Sequence, residues 1–213
     1  MNNKKLWMFD LDGTLIDSIG GIARSVNVTR GQYGFPPLEK ERIRSFTGDG
    51  IKKLTERSFA DVGLPEPVEV ILTKMTANYA ADPVYDTHLY EGVSETLETL
   101  FRKGDLLAVI SNKPEVVGEK ILTQLGVRAL FCENFGGGGR FPLKPAPDAV
   151  FFLLEKYGVA KENAMMVGDN HTDLNCAEAA GVRSIFCRFG FGRKDDAKST
   201  FEAEKFSDIL AFR

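Results

Sequence analysis

The chain is predicted to fold as an α/β protein: a parallel sheet covered by helices on both faces, interrupted after its first strand by an inserted α-helical cap. Three observations predict this. A short apolar run, Leu6-Trp7-Met8-Phe9, stops at the acidic turn Asp10-Leu11-Asp12-Gly13. About seventy residues of helical texture follow, with no convincing strand. From Tyr90 onward, short apolar runs alternate with helical segments, the pattern of strands joined by crossover helices.

Leu6 to Phe9 are apolar at every position, as expected of a strand buried on both faces, so Trp7 and Phe9 belong to the core. In the inserted block, 19–33 carries Ile22, Val26 and Val28 at roughly helical spacing and ends at Gly34, with Pro36 and Pro37 beyond. Segments 39–46, 51–60 and 66–80 read as three more helices, separated by Gly48-Asp49-Gly50 and Gly63-Leu64-Pro65. In the second half, 93–101 reads as a helix, 106–110 as a buried strand and 115–125 as a helix stopped by Gly126. A short strand is expected at 129–131, a helix at 147–157, a strand at 164–167, a helix at 173–180 and a last strand at 182–187. The expected division is a core of 1–16 and 86–213 and a cap of 17–85, with joints near 16–18 and 83–87.

At 213 residues the chain suffices for one large domain, or a core with a small second unit. Its 43% hydrophobic and 27% charged residues match an ordinary soluble protein. A net charge of −3 gives no reason to expect nucleic acid or an anionic membrane as partner. The basic start, Met1-Asn2-Asn3-Lys4-Lys5, precedes an apolar run too short for a signal-peptide core or a membrane span. Cys132, Cys176 and Cys187 are odd in number and lack C-x-x-C spacing, so they read as reduced, packed thiols of a cytoplasmic protein. A small molecule is the expected partner, bound by a monomer or homodimer.

Ligands of open α/β sheets bind beyond the carboxyl ends of the strands. The first strand delivers Asp10 and Asp12 there, two positions apart and on one side. Two carboxylates so close need a cation or a shared proton. The 106–110 strand delivers Ser111 and Asn112, the loop before 147 delivers Lys144, and the 164–167 strand delivers Gly168-Asp169 with Asp173 one turn later. A hydroxyl, amides, a lysine and Mg²⁺ together offset the charge of a transferring phosphoryl group. Asp10 and Asp169 fit Mg²⁺ as direct ligands, and Asp173 fits contact through water or the orienting of another ligand. One carboxylate of the Asp10/Asp12 pair can attack phosphorus while the other moves a proton.

Asp10-Leu11-Asp12-Gly13-Thr14, Ser111-Asn112, Lys144-Pro145 and Gly168-Asp169-x-x-x-Asp173 resemble, in order, the four motifs of the haloacid dehalogenase-like hydrolase superfamily. The helical insertion after the first motif resembles its small-cap subclass. The resemblance implies a Rossmann-like parallel-sheet core and a Mg²⁺-dependent phosphatase. Asp10 would be nucleophile and metal ligand. Asp12 would be the general acid/base, binding metal through its carbonyl. Ser111, Asn112 and Gly13 would hold phosphate, Lys144 would neutralise nucleophile and phosphate, and Asp169 would complete the metal site with Asp173 behind it. Dehalogenases of the superfamily lack the second acid, so Asp12 favours phosphate over halide.

Within the superfamily, Phe46 to Leu54, Ser111-Asn112-Lys113-Pro114 and Lys144-Pro145-x-Pro147 resemble bacterial phosphoglycolate phosphatases. That likeness makes 2-phosphoglycolate the first substrate to test and Gly48, Asp49 and Gly50 the substrate loop of the cap. Gly136 to Gly139 depart from the pattern, which has an acidic residue after the second glycine. The same machinery also serves phosphomutases like β-phosphoglucomutase, and pyrophosphatases and nucleotidases of the superfamily. Response-regulator receivers use a similar acid cluster for signalling but have no large inserted cap.

Other conspicuous residues have plainer readings. Gly136 to Gly139 read as a flexible turn, because no Walker sequence follows. His88 reads as a linker residue near the joint, His171 as a residue at the site entrance, and Cys176 as a packed thiol. Lys52, Lys53 and Arg57 read as a solvated helix face, and Phe189-Gly190-Phe191-Gly192 as a structural turn.

Overall fold

In a computed structural model, residues 4–213 are described; Met1, Asn2 and Asn3 of the basic N-terminus lie outside the described residues. The central sheet is wholly parallel, with strand order β5-β4-β1-β6-β7-β8. Here β1 is Leu6–Phe9, β4 Leu106–Pro114, β5 Glu133–Gly137, β6 Ala164–Gly168, β7 Arg183–Cys187 and β8 Phe201–Ala203. Strand β1 pairs with β4 on one side and β6 on the other. The chain order therefore reverses at β1, which opens a ligand crevice beyond its carboxyl end.

Alternation along the strands splits the core into two layers. Trp7, Phe9, Leu107, Val109, Met165 and Val167 face one side. Leu6, Met8, Ala108, Ile110, Ala164 and Met166 face the other, against α7 (Asp148–Tyr157) and α8 (His171–Ala180). Helices α5 (Val93–Arg102) and α6 (Glu115–Gln124) cover the first layer. Burial on both faces explains why these strands are apolar throughout. Cys176 and Cys187 are buried free thiols, and Cys132 is a half-buried one.

The inserted block folds as α1 (Ile19–Gln32), α2 (Lys40–Arg44), α3 (Ile51–Ser58) and α4 (Val68–Ala81). Helix α4 packs against both α1 and α3. Buried Arg30 locks this unit, donating to both Asp61 oxygens at 2.9 Å and to the Pro36 carbonyl at 2.8 Å. Where the chain crosses to and from the block, β2 (Ile16–Asp17) and β3 (His88–Leu89) form a two-residue antiparallel ribbon. That ribbon is too short to leave an alternating pattern, and the sequence does not show it. His88 is exposed within it.

Three further elements differ from expectation. Residues Arg128–Leu130 form a 3-10 turn instead of a strand, held by Arg128 donating to the Phe131 carbonyl and to Glu119. Their apolar character serves packing: Phe131 meets Phe9 edge-on at 6.3 Å. The strand itself is β5, which contains Gly136 and Gly137 and so reads poorly as a strand. Second, β4 stays extended through Ser111 to Pro114, because Pro114 pairs with Gly137. Third, the sheet does not end at β7; the three-residue β8 pairs with it.

Gly136 is a requirement of close approach. A Cβ there would lie 2.5 Å from Glu115 Cα and 2.7 Å from the Lys113 carbonyl oxygen. Gly138, by contrast, has open space around it. Gly136→Ala is therefore expected to destabilise the protein by about 3 kcal/mol through overpacking against backbone. Gly138→Ala, which meets only the strain of a positive φ of 77°, should lose about 1 kcal/mol. Urea unfolding of both variants checks the ranking.

Candidate active site

The carboxyl ends of β1, β4 and β6 bring Asp10, Asp12, Ser111, Asn112, Lys113 and Asp169 to one pocket, where the loop between β5 and α7 adds Lys144. Asp10 follows β1 directly and is anchored by its amide, which donates to the Val167 carbonyl at 2.9 Å. The cap contributes Ile22, Ser25, Thr47, Gly48, Gly50, Ile51, Leu54 and Tyr79 to the opposite wall. The cap loop rests on the core: Asn112 Nδ2 donates to the Gly48 carbonyl at 3.1 Å.

Asp10, Asp169 and Asp173 are buried, with one carboxylate oxygen from each lying within 4.8 Å of the others. Lys144, itself buried, sits among them, 2.8 Å from Asp10 Oδ1 and 2.6 Å from Asp173 Oδ1. Asp173 Oδ2 accepts from the Asn170 amide at 3.0 Å, closing the capping box that starts α8. One lysine faces three acids, and the electrostatics follow. Burial, then the Asp10 and Asp173 charges, push the Asp169 carboxyl well above its usual range. Burial, opposed by Lys144 and reinforced by Asp10, pushes Asp173 up to about 7. Burial works against the Lys144 ammonium, but Asp10 and Asp173 outweigh it and raise its pKa.

Several predicted residues have partners within the protein that their motif positions do not display. Gly13 does not line the pocket, and its amide donates to the Ile16 carbonyl at 2.8 Å within the turn. Its contribution is space: with φ +81°, a Cβ there would lie 1.9 Å from Asp169 Oδ2. The Asn112 side chain is committed to protein, accepting from the Lys144 amide at 2.8 Å and donating to the Lys144 carbonyl at 3.0 Å as well as to Gly48. Only its main chain is left to meet a ligand. Asp49 turns away from the pocket to Arg57 at 2.7 Å, with His171 Nε2 at 3.8 Å. The Asp12 side chain is absent from the acid cluster and is held instead by Ser18 and Lys113.

The turn at Phe189 to Gly192 is structural, and it also shapes the site. Phe191 and Gly192 line the pocket, and the Gly192 amide donates to Asp169 Oδ2 at 2.6 Å. Lys52 and Lys53 pair with Glu69 and Glu56 on the surface, as a solvated face would. Lys113, Tyr79 and Asn170 were not singled out as site residues from sequence. For Lys113 a signal exists, since it directly follows Ser111 and Asn112 on a buried strand. For Tyr79 the only signal is its place in the run Ile71, Met75, Tyr79, the buried residues of α4, at steps of four.

A doubly wound parallel sheet, a lysine-linked acid cluster beyond its first strand and a cap wall define a capped, Rossmann-like α/β protein with an acidic crevice. The chain matches the family model described as haloacid dehalogenase-like hydrolase over residues 7–187, and it belongs to that family. It is a phosphatase of that family. It is 32% identical to a phosphoglycolate phosphatase of Aliivibrio fischeri over 97% of this chain and 95% of that one. It is 33% identical to a phosphoglycolate phosphatase of Aquifex aeolicus, covering 95% and 93%. A crystal structure of a predicted phosphoglycolate phosphatase from Haemophilus somnus superposes with a TM-score of 0.91 at 30% identity, covering 100% of this chain and 99% of that one. No helix among the described residues is long and apolar enough to cross a membrane.

Proposed function

We propose that this phosphatase hydrolyses a small phosphorylated metabolite, with 2-phosphoglycolate the first substrate to test, through a phosphoryl group carried on Asp10. The observation that carries the reading is the placement of Asp10 beside Lys144 in a pocket walled by the cap. An Asp10 oxygen attacks phosphorus and the bond from phosphorus to the leaving oxygen breaks, with Asp12 giving that oxygen a proton. Water then attacks phosphorus and passes a proton to Asp12, which releases inorganic phosphate and restores Asp10. Ser111 and the main chain at Asn112 face the phosphoryl oxygens, and Lys144 offsets the charge on Asp10.

The donor set fits Mg²⁺. Hard carboxylate oxygens of Asp10, Asp169 and Asp173 are clustered within 4.8 Å of one another, with the Lys144 ammonium as their shared cation. Asp10, Asp169 and the Asp12 carbonyl would hold the ion, which supplies positive charge at the phosphoryl oxygens. Asp173 would stand behind them, orienting Lys144. The cap, 17–85, would move on the core, 1–16 and 86–213, about the β2–β3 ribbon and shut water out.

The relatives' names support the glycolate ester. The cap wall supports a small leaving group: it offers hydroxyls and aliphatic side chains, with no cationic cap residue lining the pocket among the described residues. Phosphate release from a panel of 2-phosphoglycolate, sugar phosphates, nucleoside monophosphates and pyrophosphate, with and without Mg²⁺, tests the reading. Mg²⁺-dependent release led by 2-phosphoglycolate is expected. Turnover only of a sugar phosphate with a bisphosphate activator would replace it with the mutase.

The acid cluster also predicts how metal and pH act on stability. Raised carboxyls keep protons in the folded state that the unfolded chain releases, from the ordinary value of 3.8 up to about 7. Stability of the metal-free protein should therefore fall as pH rises through that window. Mg²⁺ binding opposes this, so its addition should raise Tm more at about pH 8 than at about pH 5. Thermal unfolding at both values reads the difference.

A further inference from the structure

We propose that Tyr79 of the cap and Lys113 of the core form a latch that positions Asp12 when the cap is closed. Both are positioning residues that act through Asp12, and the proposal rests on the acid/base role given to Asp12 above.

Lys113 extends from β4 into the pocket, with its side chain only 2% exposed. Its ammonium donates to Asp12 Oδ1 at 2.9 Å, to Asp12 Oδ2 at 3.2 Å and to the Tyr79 hydroxyl at 2.7 Å. The Tyr79 ring also lies against it, 4.0 Å from the ammonium to the ring centroid. A buried ammonium needs its full set of partners. Of its three hydrogen bonds, two go to the acid and one to the cap.

The other side-chain partner of Asp12 also sits where the cap joins. Ser18 Oγ donates to Asp12 Oδ1 at 2.5 Å, and Ser18 follows the β2 ribbon and begins α1. Asp12 is thus held from both joints, at the entry through Ser18 and, through Lys113, by the last turn of α4 just before the exit. Ile71, Met75 and Tyr79 form the buried face of α4, so Tyr79 travels with the cap. Opening the cap removes the tyrosine from Lys113, frees the lysine and loosens the acid. Closing restores the Tyr79 contact, which returns the ammonium to Asp12 and fixes where that acid stands beside the leaving oxygen.

Four proteins test this: wild type, Tyr79→Phe, Lys113→Met and the double variant. Tyr79→Phe removes one hydroxyl and should lower kcat/KM for an alkyl phosphoester by about tenfold. On p-nitrophenyl phosphate, whose leaving group departs without a proton, the same variant should change kcat/KM by less than about twofold. In the Lys113→Met background, Tyr79→Phe should have no further effect on either ester. Equal losses on the two esters would mean that Tyr79 merely supports the fold, and additive losses would mean that it acts independently of Lys113; either overturns the latch. Thermal unfolding of the same four proteins reads the coupling without catalysis. Tyr79→Phe should lower Tm in wild type and not in Lys113→Met, and additive lowering overturns the latch. If wild type cleaves neither ester while the Tm coupling is present, the proposed reaction fails and the latch contact stands.

Discussion

Replacing Asp10 with asparagine is expected to lower phosphate release by about 10⁴-fold or more while leaving the fold intact. Asparagine keeps the shape of the side chain but is a far poorer nucleophile, and loss of a covalent nucleophile is among the largest single-residue effects in enzymes. The protein should not lose stability with the activity. Three acids crowd around one lysine, so removing one negative charge relieves repulsion, and Lys144 keeps Asp173 as partner. Steady-state release and urea unfolding of the same preparation separate the two effects. A variant that keeps a tenth of the activity would remove Asp10 from the chemistry.

Lys144→Met is expected to damage both function and stability. Methionine fills a similar volume but leaves Asp10 and Asp173 without the ammonium that lies 2.8 and 2.6 Å from them. Breaking a buried pair by removing one partner costs about 3–5 kcal/mol. Loss of its charge opposite the developing phosphoryl transition state should lower kcat by a further factor of about 10²–10³. The stability deficit has a sign in pH. Without the lysine the folded carboxyls hold their protons more strongly, so the deficit should shrink as pH falls from about 7 to about 5. Urea unfolding across that range measures it, and a deficit that grows on acidification would contradict the charge assignment.

The parts of this fold legible in the sequence are those whose physics is local. The β1 strand is apolar because both its faces are buried, and Asp10 interrupts it where the strand meets the site. Helices α1 to α8 were marked by spacing and by glycine or proline stops. The hidden elements depend on distant partners. Strand β5 forms because β4 and the start of α6 lie against two glycines that have little strand preference of their own. The β2–β3 ribbon and β8 are too short to carry a pattern.

In the candidate site, residue types foretold proximity better than direction. Asp10, Lys144 and Asp169 converge as their motif positions imply. Gly13, Asp49 and the Asn112 side chain face other protein groups, because each answers to a hydrogen bond or ion pair that sequence does not display. The Lys113–Tyr79 contact joins residues 34 positions apart across cap and core, and no local pattern in the sequence displays it.

The most direct test of the central claim is acid-quenched turnover of 2-phosphoglycolate followed by peptide mass spectrometry. Asp10 as a covalent carrier predicts one phosphoryl group on the peptide that contains Asp10, acid-stable enough to detect and absent from Asp10→Asn. Turnover with a phosphoryl group on another residue, or with none trapped at any quench time, would contradict it.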